Sequence, residues 1–327
     1  MKTKEKVLTL LVSKKGEYIS GSELAKELGL SRNSVWKAIN SLKEDGYSIS
    51  SVKNLGYSLS EKNSKLSVQE INKYLKSDKF RVEVYDTVDS TNNVCKKRAE
   101  DGEPEGLVIV SNEQTKGRGR QGKAFYSPSD CGIYMTILIR PKKRVEDALY
   151  ITAATAVAVS DAIDSVAGVN TKIKWVNDVY YNNKKVCGIL TEAAFDMENG
   201  NFNYIVVGIG INVFSPASSY PEDIKGVATS VLDDVNNNEN LRNILAAKVL
   251  DNFEEIYMNF EKKEYLSKYR KKSLLTGMRV SYIKDKQEYT AKVIDIDDEF
   301  RLVVENLPFN ERVVLSSGEI KLKLSNS

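Results

Sequence analysis

One stretch limits the possible folds more than any other. Residues 115–132, "TKGRGRQGKAFYSPSDCG", hold four cations (Lys116, Arg118, Arg120 and Lys123) and four glycines, set between the apolar runs "GLVIVSNEQ" and "GIYMTILIRP". "GRGRQG" satisfies the G-x-G-x-x-G dinucleotide fingerprint, and the run into Lys123 and Ala124 falls one residue short of a phosphate-binding P-loop. Both fingerprints work only where a helix begins at the loop, because its free N-terminal N–H groups bind the phosphates. Here Pro128 and Gly132 intervene, a strand-like run follows, and Ala124 has no hydroxyl to offer a metal. Both of those nucleotide folds are therefore excluded. What remains is a basic, glycine-rich loop joining two strands, able to close main-chain N–H groups and guanidinium groups over an anion.

The surrounding sequence agrees with a sheet. "FRVEVYDTV" (80–88) reads as a strand and "STNNVCKKRAEDG" (90–102) as a helix capped by Ser90. An alanine-rich helix follows the second apolar run. "TKIKWVNDVYYNNKKVCGILTEA" (171–193) reads as strands around an Asn-Asn turn, and "NYIVVGIGINV" (203–213) as another strand. A helical pattern then runs from Leu241 to about Lys272. Adjacent strands with segregated helices predict an α+β fold with a central mixed α/β sheet. Residues 277–324 alternate in short strands with polar turns and suggest a small SH3-like β-barrel.

Residues 4–60 read as three short helices and a hairpin. Val7, Leu8, Leu11 and Val12 make one apolar stripe; Ser20 with Glu23 has capping-box spacing; Gly29 ends the second helix. Ser31 opens a third, in which Val35, Ile39 and Leu42 recur at helical spacing, and Asn54-Leu55-Gly56 turns a hairpin. This order predicts a winged helix-turn-helix. Residues 1–62 carry eleven cations against seven acids, or +4, whereas the whole chain is +3. The positive charge is thus concentrated where phosphate contact requires it. Ser22, Ser31, Arg32, Asn33, Ser34 and Lys37 are the candidate DNA contacts. Trp36, beside the apolar stripe, is expected in the core. A unit of this kind can also mediate protein contacts. The expected division is 1–63, 64–273 and 274–327.

Composition removes several chemistries. With 41% hydrophobic and 28% charged residues, the chain has a soluble, globular profile. It has no histidine, which excludes Ser-His-Asp and Cys-His nucleophiles and histidine-held metals. Cys95, Cys131 and Cys187 form no CxxC pair and suit a reducing cytoplasm. The N-terminal apolar run "VLTLLV" is too short for a signal peptide, and Thr, Ser and Asp interrupt the alanine-rich helix, so no membrane span is expected.

Five runs occur in one order: "DSTN" (89–92), "EQTKGRGRQGKAFYSP" (113–128), "KWVND" (174–178), "KKVCGIL" (184–190) and "GIGINV" (208–213). Together they resemble the biotin–protein ligase family over almost the entire chain, and the N-terminal unit resembles its bifunctional members that also repress biotin genes. Val176 stands where that family usually has Pro, and Phe125 where it commonly has Trp. The resemblance implies biotin contacts at Ser90, Thr91, Asn92, Gln114, Gly117, Arg118, Gly119, Arg120, Lys185, Gly188 and Gly208. It implies ATP contacts at Arg118, Arg120, Lys174, Asn177, Asp178 and Asn212, with Mg²⁺ entering with ATP and Asp178 as its ligand. Lys185, Arg118 and Arg120 would be the catalytic cations. The plainer readings are a helix cap for Ser90, turn residues for Asn177, Asp178 and Asn212, and a solvated hairpin for Lys184 and Lys185.

The implied reaction joins the biotin carboxylate to the α-phosphate of ATP and then passes the biotinyl group to a lysine of a biotin carboxyl carrier domain. It needs no protein nucleophile. Its obstacle is repulsion between two anions, which fixed cations relieve. Phe125 would cover the adenylate as an apolar lid. The same resemblance implies operator DNA of biotin genes as a partner and a homodimer when adenylate is bound. Two other readings fit the residues: a ligand-sensing transcription regulator without ligase activity, and a lipoate- or octanoate-transferring relative.

Overall fold

The N-terminal periodicity becomes a three-helix unit in the computed structural model, which describes residues 2–61, 65–141, 147–196, 201–214, 220–232, 240–284, 287–307, 309–316 and 320–322. Helices α1 (Thr3–Ser13), α2 (Gly21–Leu28) and α3 (Arg32–Glu44) precede strands β1 (Ile49–Val52) and β2 (Gly56–Leu59). Ser20 Oγ accepts the Glu23 N–H and Ser31 Oγ the Ser34 N–H, each at 3.1 Å, so hydroxyls satisfy donors that the helix starts leave free. Gly29 ends α2 in the left-handed region, at φ 64°. Val7, Leu11, Leu24, Val35, Ile39, Leu42 and Leu59 bury one another in a core of their own. Trp36 does not join it and is 53% exposed. One position beyond Val35, its side chain is rotated by about 100° out of the buried stripe.

Helix α4 (Val68–Tyr74) was not legible in the sequence. It leads into a seven-stranded sheet ordered β3-β4-β5-β9-β8-β7-β6. Its strands are β3 (Arg81–Val88), β4 (Leu107–Gln114), β5 (Gly132–Ile139), β6 (Lys172–Lys174), β7 (Asp178–Tyr181), β8 (Lys184–Asp196) and β9 (Asn201–Asn212). Only β3 and β4 pair in parallel, with α5 (Thr91–Glu100) as the crossover between them. The loop of residues 115–131 runs strand to strand, as its flanks required. Asn182 and Asn183 turn β7 into β8 at φ 48° and 58°, a conformation that asparagine tolerates. The sequence pattern over 241–272 is two helices, α7 (Leu241–Met258) and α8 (Glu264–Lys271). Between them a short 3₁₀ turn leads to Lys263 at φ 50°, and Phe260 stacks on Tyr265 at 5.4 Å between ring centres.

Period-two alternation assigns the two faces of the sheet. Val110, Met135, Ile137, Ile205, Val207 and Ile209 point to one face, packed by α6 (Asp147–Ala167) and α7. Helix α6 is long and apolar enough to cross a membrane, yet Ala153, Ala156, Val157 and Val159 lie wholly buried against the sheet, so it is a core helix. The other face meets α5, whose Cys95 and Ala99 pack on Ile109, Leu138 and Val206. The same rows continue into Thr136, Gly188, Gly208 and Gly210, where three of four positions have no side chain.

Strands β10 (Arg279–Lys284), β11 (Gln287–Ile296), β12 (Leu302–Asn306), β13 (Glu311–Leu315) and β14 (Ile320–Leu322) make the C-terminal SH3-like unit, a five-stranded antiparallel sheet ordered β13-β12-β11-β10-β14. Its core is continuous with that of the central sheet. Phe300 joins them: its carbonyl accepts the Trp175 indole N–H at 2.7 Å, and its ring stacks on Tyr265. At the other end, Lys15 of the N-terminal unit meets the fully buried Glu70 of α4 at 2.8 Å. Asn240 Nδ2 donates to the second Glu70 oxygen at 2.6 Å, so this buried charge is fully partnered.

Candidate active site

The glycine rows form the floor of a cavity. Gly188 pairs directly with Gly210 across β8 and β9, and Leu190 pairs with Gly208. Residues 115–128 roof this floor. The loop folds into a small hairpin through Phe125 N–H to Gly117 O at 2.9 Å and Gly119 N–H to Lys123 O at 2.7 Å. A side chain at Gly117 would meet Phe125 O at 2.3 Å, so glycine there serves the turn rather than the cavity. The hairpin drops the Phe125 ring onto the floor, within 2.5 Å of where a Cβ on Gly210 would lie and 3.2 Å from one on Gly188. The void left is about 40 Å³, lined by Ser90, Thr91, Asn92, Gln114, Arg118, Gly119, Arg120, Phe125, Asn177, Lys185, Gly188 and Gly208, with Ile189, Leu190, Ile209 and Gly210. The Phe125 ring fills the space directly above Gly188 and Gly210, so a molecule lying on that part of the floor must displace it.

A polar wall closes one side. Gln114 Oε1 accepts the Thr91 backbone N–H at 2.8 Å and the Thr91 hydroxyl at 3.1 Å, while its Nε2 donates to Ser127 Oγ at 3.0 Å. Gln114 therefore caps α5. Ser90 occupies the N-cap position but makes no capping bond with its side chain, contrary to the simple expectation. Its buried hydroxyl instead lines the cavity. Thr136 Oγ1 lies 2.8 Å from Thr91 Oγ1 and 2.7 Å from Asn92 Oδ1. Asn92 Nδ2 donates to Glu192 at 2.8 Å and to Leu190 O at 3.3 Å.

Three cations also line the cavity. Arg118 donates to Asn93 at 3.1 Å and pairs with Glu192 at 3.2 Å. Arg120 donates to Asn177 Oδ1 at 2.9 Å, and Asn177, which follows a cis Trp175–Val176 peptide, donates on to Ile189 O at 3.0 Å. Lys185 pairs with Asp178 at 2.7 Å. Burial pushes the Glu192 carboxyl up, but bonds from Asn92 and Lys96 and the charge of Arg118 outweigh it and hold the group below the usual carboxylate value.

Four expected contacts lie outside the lining. Gly117 holds the hairpin. Lys174 sits over the Tyr180 ring at 5.6 Å. Asn212 is buried and donates to Thr229 O at 3.2 Å. Asp178 pairs with Lys185 beside the lining. Among the described residues no group of three or more Cys, Asp or Glu side chains could cage a metal.

On the N-terminal unit, Ser22, Arg32, Asn33 and Lys37 are exposed, while Ser31 and Ser34 spend their hydroxyls on each other at 2.8 Å.

Residues 84–212, which contain this cavity, match the model of the biotin/lipoate A/B protein ligase family, and residues 3–58 match a helix-turn-helix domain. The bifunctional ligase/repressor BirA of Bacillus spizizenii is 38% identical over 232 residues, covering 70% of this chain and 71% of that protein. The chain belongs to the family of bifunctional biotin ligase/repressors. The Bacillus subtilis protein of the same name is 37% identical over 232 residues, with the same shares of both chains. A solved biotin protein ligase from Aquifex aeolicus, in complex with biotin and ATP, superposes with a TM-score of 0.63 at 28% identity, over 75% of this chain and 99% of that one. In this ligase the residues that sequence reasoning missed are the supporting ones. Gly210 completes the floor, and Glu192 and Asn93 hold Arg118. Arg242, fully buried, donates to Gly132 O at 2.9 Å and Asn112 Oδ1 at 3.0 Å beneath the loop's end. The alternation of glycine in "GIGIN" was the one available signal for Gly210; nothing local marked Glu192 or Arg242.

Proposed function

We infer that the chain is a biotin–protein ligase that forms biotinyl-5′-AMP from biotin and ATP, passes biotin to a lysine of a biotin carboxyl carrier domain, and represses biotin genes through its N-terminal helix-turn-helix. One observation supports the chemistry above others: a side-chain-free floor faces three cations, Arg118, Arg120 and Lys185, across a cavity walled by amides and hydroxyls. The fused ring system of biotin can lie on Gly188, Gly208 and Gly210, with Ser90, Thr91 and Gln114 offering donors and acceptors to its ureido group.

Lys185 is the point charge proposed to sit between the biotin carboxylate and the α-phosphate, with Arg118 and Arg120 on the remaining phosphate oxygens. Its present partner Asp178 would be exchanged for those anions. Magnesium would enter as part of the MgATP substrate, screening phosphate charge, with Asp178 its one candidate carboxylate on the chain. Asn177, in the cavity lining, is proposed to contact ATP while it also holds Arg120. Lys174 and Asn212, outside the cavity lining, are proposed only as contacts made after the roof moves. Phe125, now on the floor, would swing up to cover the adenylate and keep water from it. The division 1–63, 64–273 and 274–327, with its first boundary among residues 62–64 outside the described set, is proposed as DNA-binding, catalytic and SH3-like. A homodimer on adenylate binding and a cytoplasmic location complete the reading.

The test is biotin-dependent exchange of pyrophosphate into ATP, followed by transfer to a carrier domain. Exchange with biotin is expected. Its absence would leave a ligand-sensing regulator, and exchange driven by lipoate instead would move the chain to the lipoate branch.

A further inference from the structure

Trp36 is the largest of the exposed apolar side chains of the N-terminal unit, alongside Tyr18, Val52 and Leu55. It lies one helical turn beyond Arg32 on α3 and shares a groove with Arg32, Asn33 and, from the wing, Val52, Lys53 and Asn54. Trp36 is 53% exposed, among residues that are mostly polar or cationic with Val52 and Tyr57 beside them. In water an exposed indole gains nothing; beside a matching apolar surface it gains by desolvation. The groove's cations and the +4 of residues 1–62 specify a polyanion on this face. A recognition helix fits the major groove of duplex DNA, and the thymine 5-methyl is the apolar group that bases present there.

We propose that Trp36 reads sequence, its indole covering a thymine methyl in the major groove next to the positions reached by Arg32 and Asn33. The proposal rests on the DNA-binding role inferred above and adds to it a specific base and a specific chemical group. Direction supports it. Val35, Ile39 and Leu42 fix the buried side of α3, so Arg32, Asn33, Trp36 and Lys37 share a neighbouring arc outside it, and all four are exposed.

The experiment uses the full-length protein with biotin and ATP, and duplexes selected by it from a random pool. The chain has two tryptophans, and Trp175 is buried with its N–H bound to Phe300 O, so the exposed emission belongs to Trp36. Selected DNA should quench or protect that emission. Each thymine of a selected duplex is then replaced by uracil, which removes only the methyl. In each half-site one replacement should weaken binding by about fourfold, the worth of one buried methyl. Trp36→Ala should bind more weakly overall and lose sensitivity to that replacement, while Trp36→Phe keeps it.

Equal affinity and an unchanged uracil profile in Trp36→Ala would overturn the proposal. So would weaker dimerisation with the methyl sensitivity intact, which would make Trp36 a protein contact. Failure to select any duplex would instead bring down the DNA-binding reading, and this proposal with it. Circular dichroism of both variants separates lost contact from lost fold.

Discussion

Adding one carbon at Gly208 tests whether the cavity floor is built around Asn92. A Cβ there would lie 2.1 Å from Asn92 Oδ1 and 2.9 Å from its Cγ, where ordinary contact begins at 3.4 Å. Asn92 is unable to swing aside freely, because Thr136, Leu190 and Glu192 all hold its amide at 2.7–3.3 Å. Relief therefore breaks hydrogen bonds, each worth about 1 kcal/mol net and more where a buried partner is left unpaired. Gly208→Ala is expected to destabilise by roughly 2–4 kcal/mol, a melting-temperature drop on the order of 5 °C or more. Gly210→Ala is the control. Its Cβ would meet the Phe125 ring at 2.5 Å, but that ring hangs from a surface hairpin that can lift. Its stability cost should stay below about 1 kcal/mol, within the range of surface substitutions, while biotin affinity falls. Urea denaturation with calorimetric biotin titration separates the two. If Gly208→Ala proves as stable as the parent, or the two variants cost the same, the account of the floor is wrong.

Other outcomes follow from the same geometry. Lys185→Ala should lose biotin-dependent pyrophosphate exchange by a factor on the order of a hundred or more, because a charge acting on the reacting phosphate is removed, while its circular dichroism stays that of the parent. Glu192 has a carboxyl held below its usual 4.5, so its contribution to stability is complete above pH 4.5 and drains away as acid protonates it in the fold. The stability gap between the parent and Glu192→Gln should accordingly narrow below pH 4.5 in denaturation series run at several pH values. Cys95 and Cys187 are wholly buried, and burial pushes the Cys95 thiol up to about 12 and that of Cys187 up as well, whereas Cys131 is partly exposed. A thiol reagent should label Cys131 first in the native protein, and mass spectrometry of the labelled peptides would show it.

Much of this was legible because the signals were local. The loop's ban on a following helix, the Asn182-Asn183 turn and the Val35-Ile39-Leu42 stripe each act within a few residues, and each appears in the fold. Trp36 misled because proximity in sequence to a stripe is not proximity around a helix. The pattern over 241–272 misled because at the break at Lys263 the Phe260 ring packs on Tyr265, which is itself seated by the distant Phe300. In the site, cations and glycines announced themselves by composition. Their supports did not: Glu192 reaches Arg118 across 74 positions, and Arg242 reaches Gly132 across 110. Such pairs exist only once a sheet has brought its strands together.

The start of α7 carries two moorings only two residues apart. Asn240 ties the Glu70–Lys15 pair, and so the helix-turn-helix; Arg242 ties Gly132 and Asn112, where the basic loop returns to the sheet. A rod pinned near one end passes tilt to everything fastened there. The basic loop's return to the sheet and the contact to the helix-turn-helix are therefore fastened within one helical turn of about 5.4 Å, not across the breadth of the molecule.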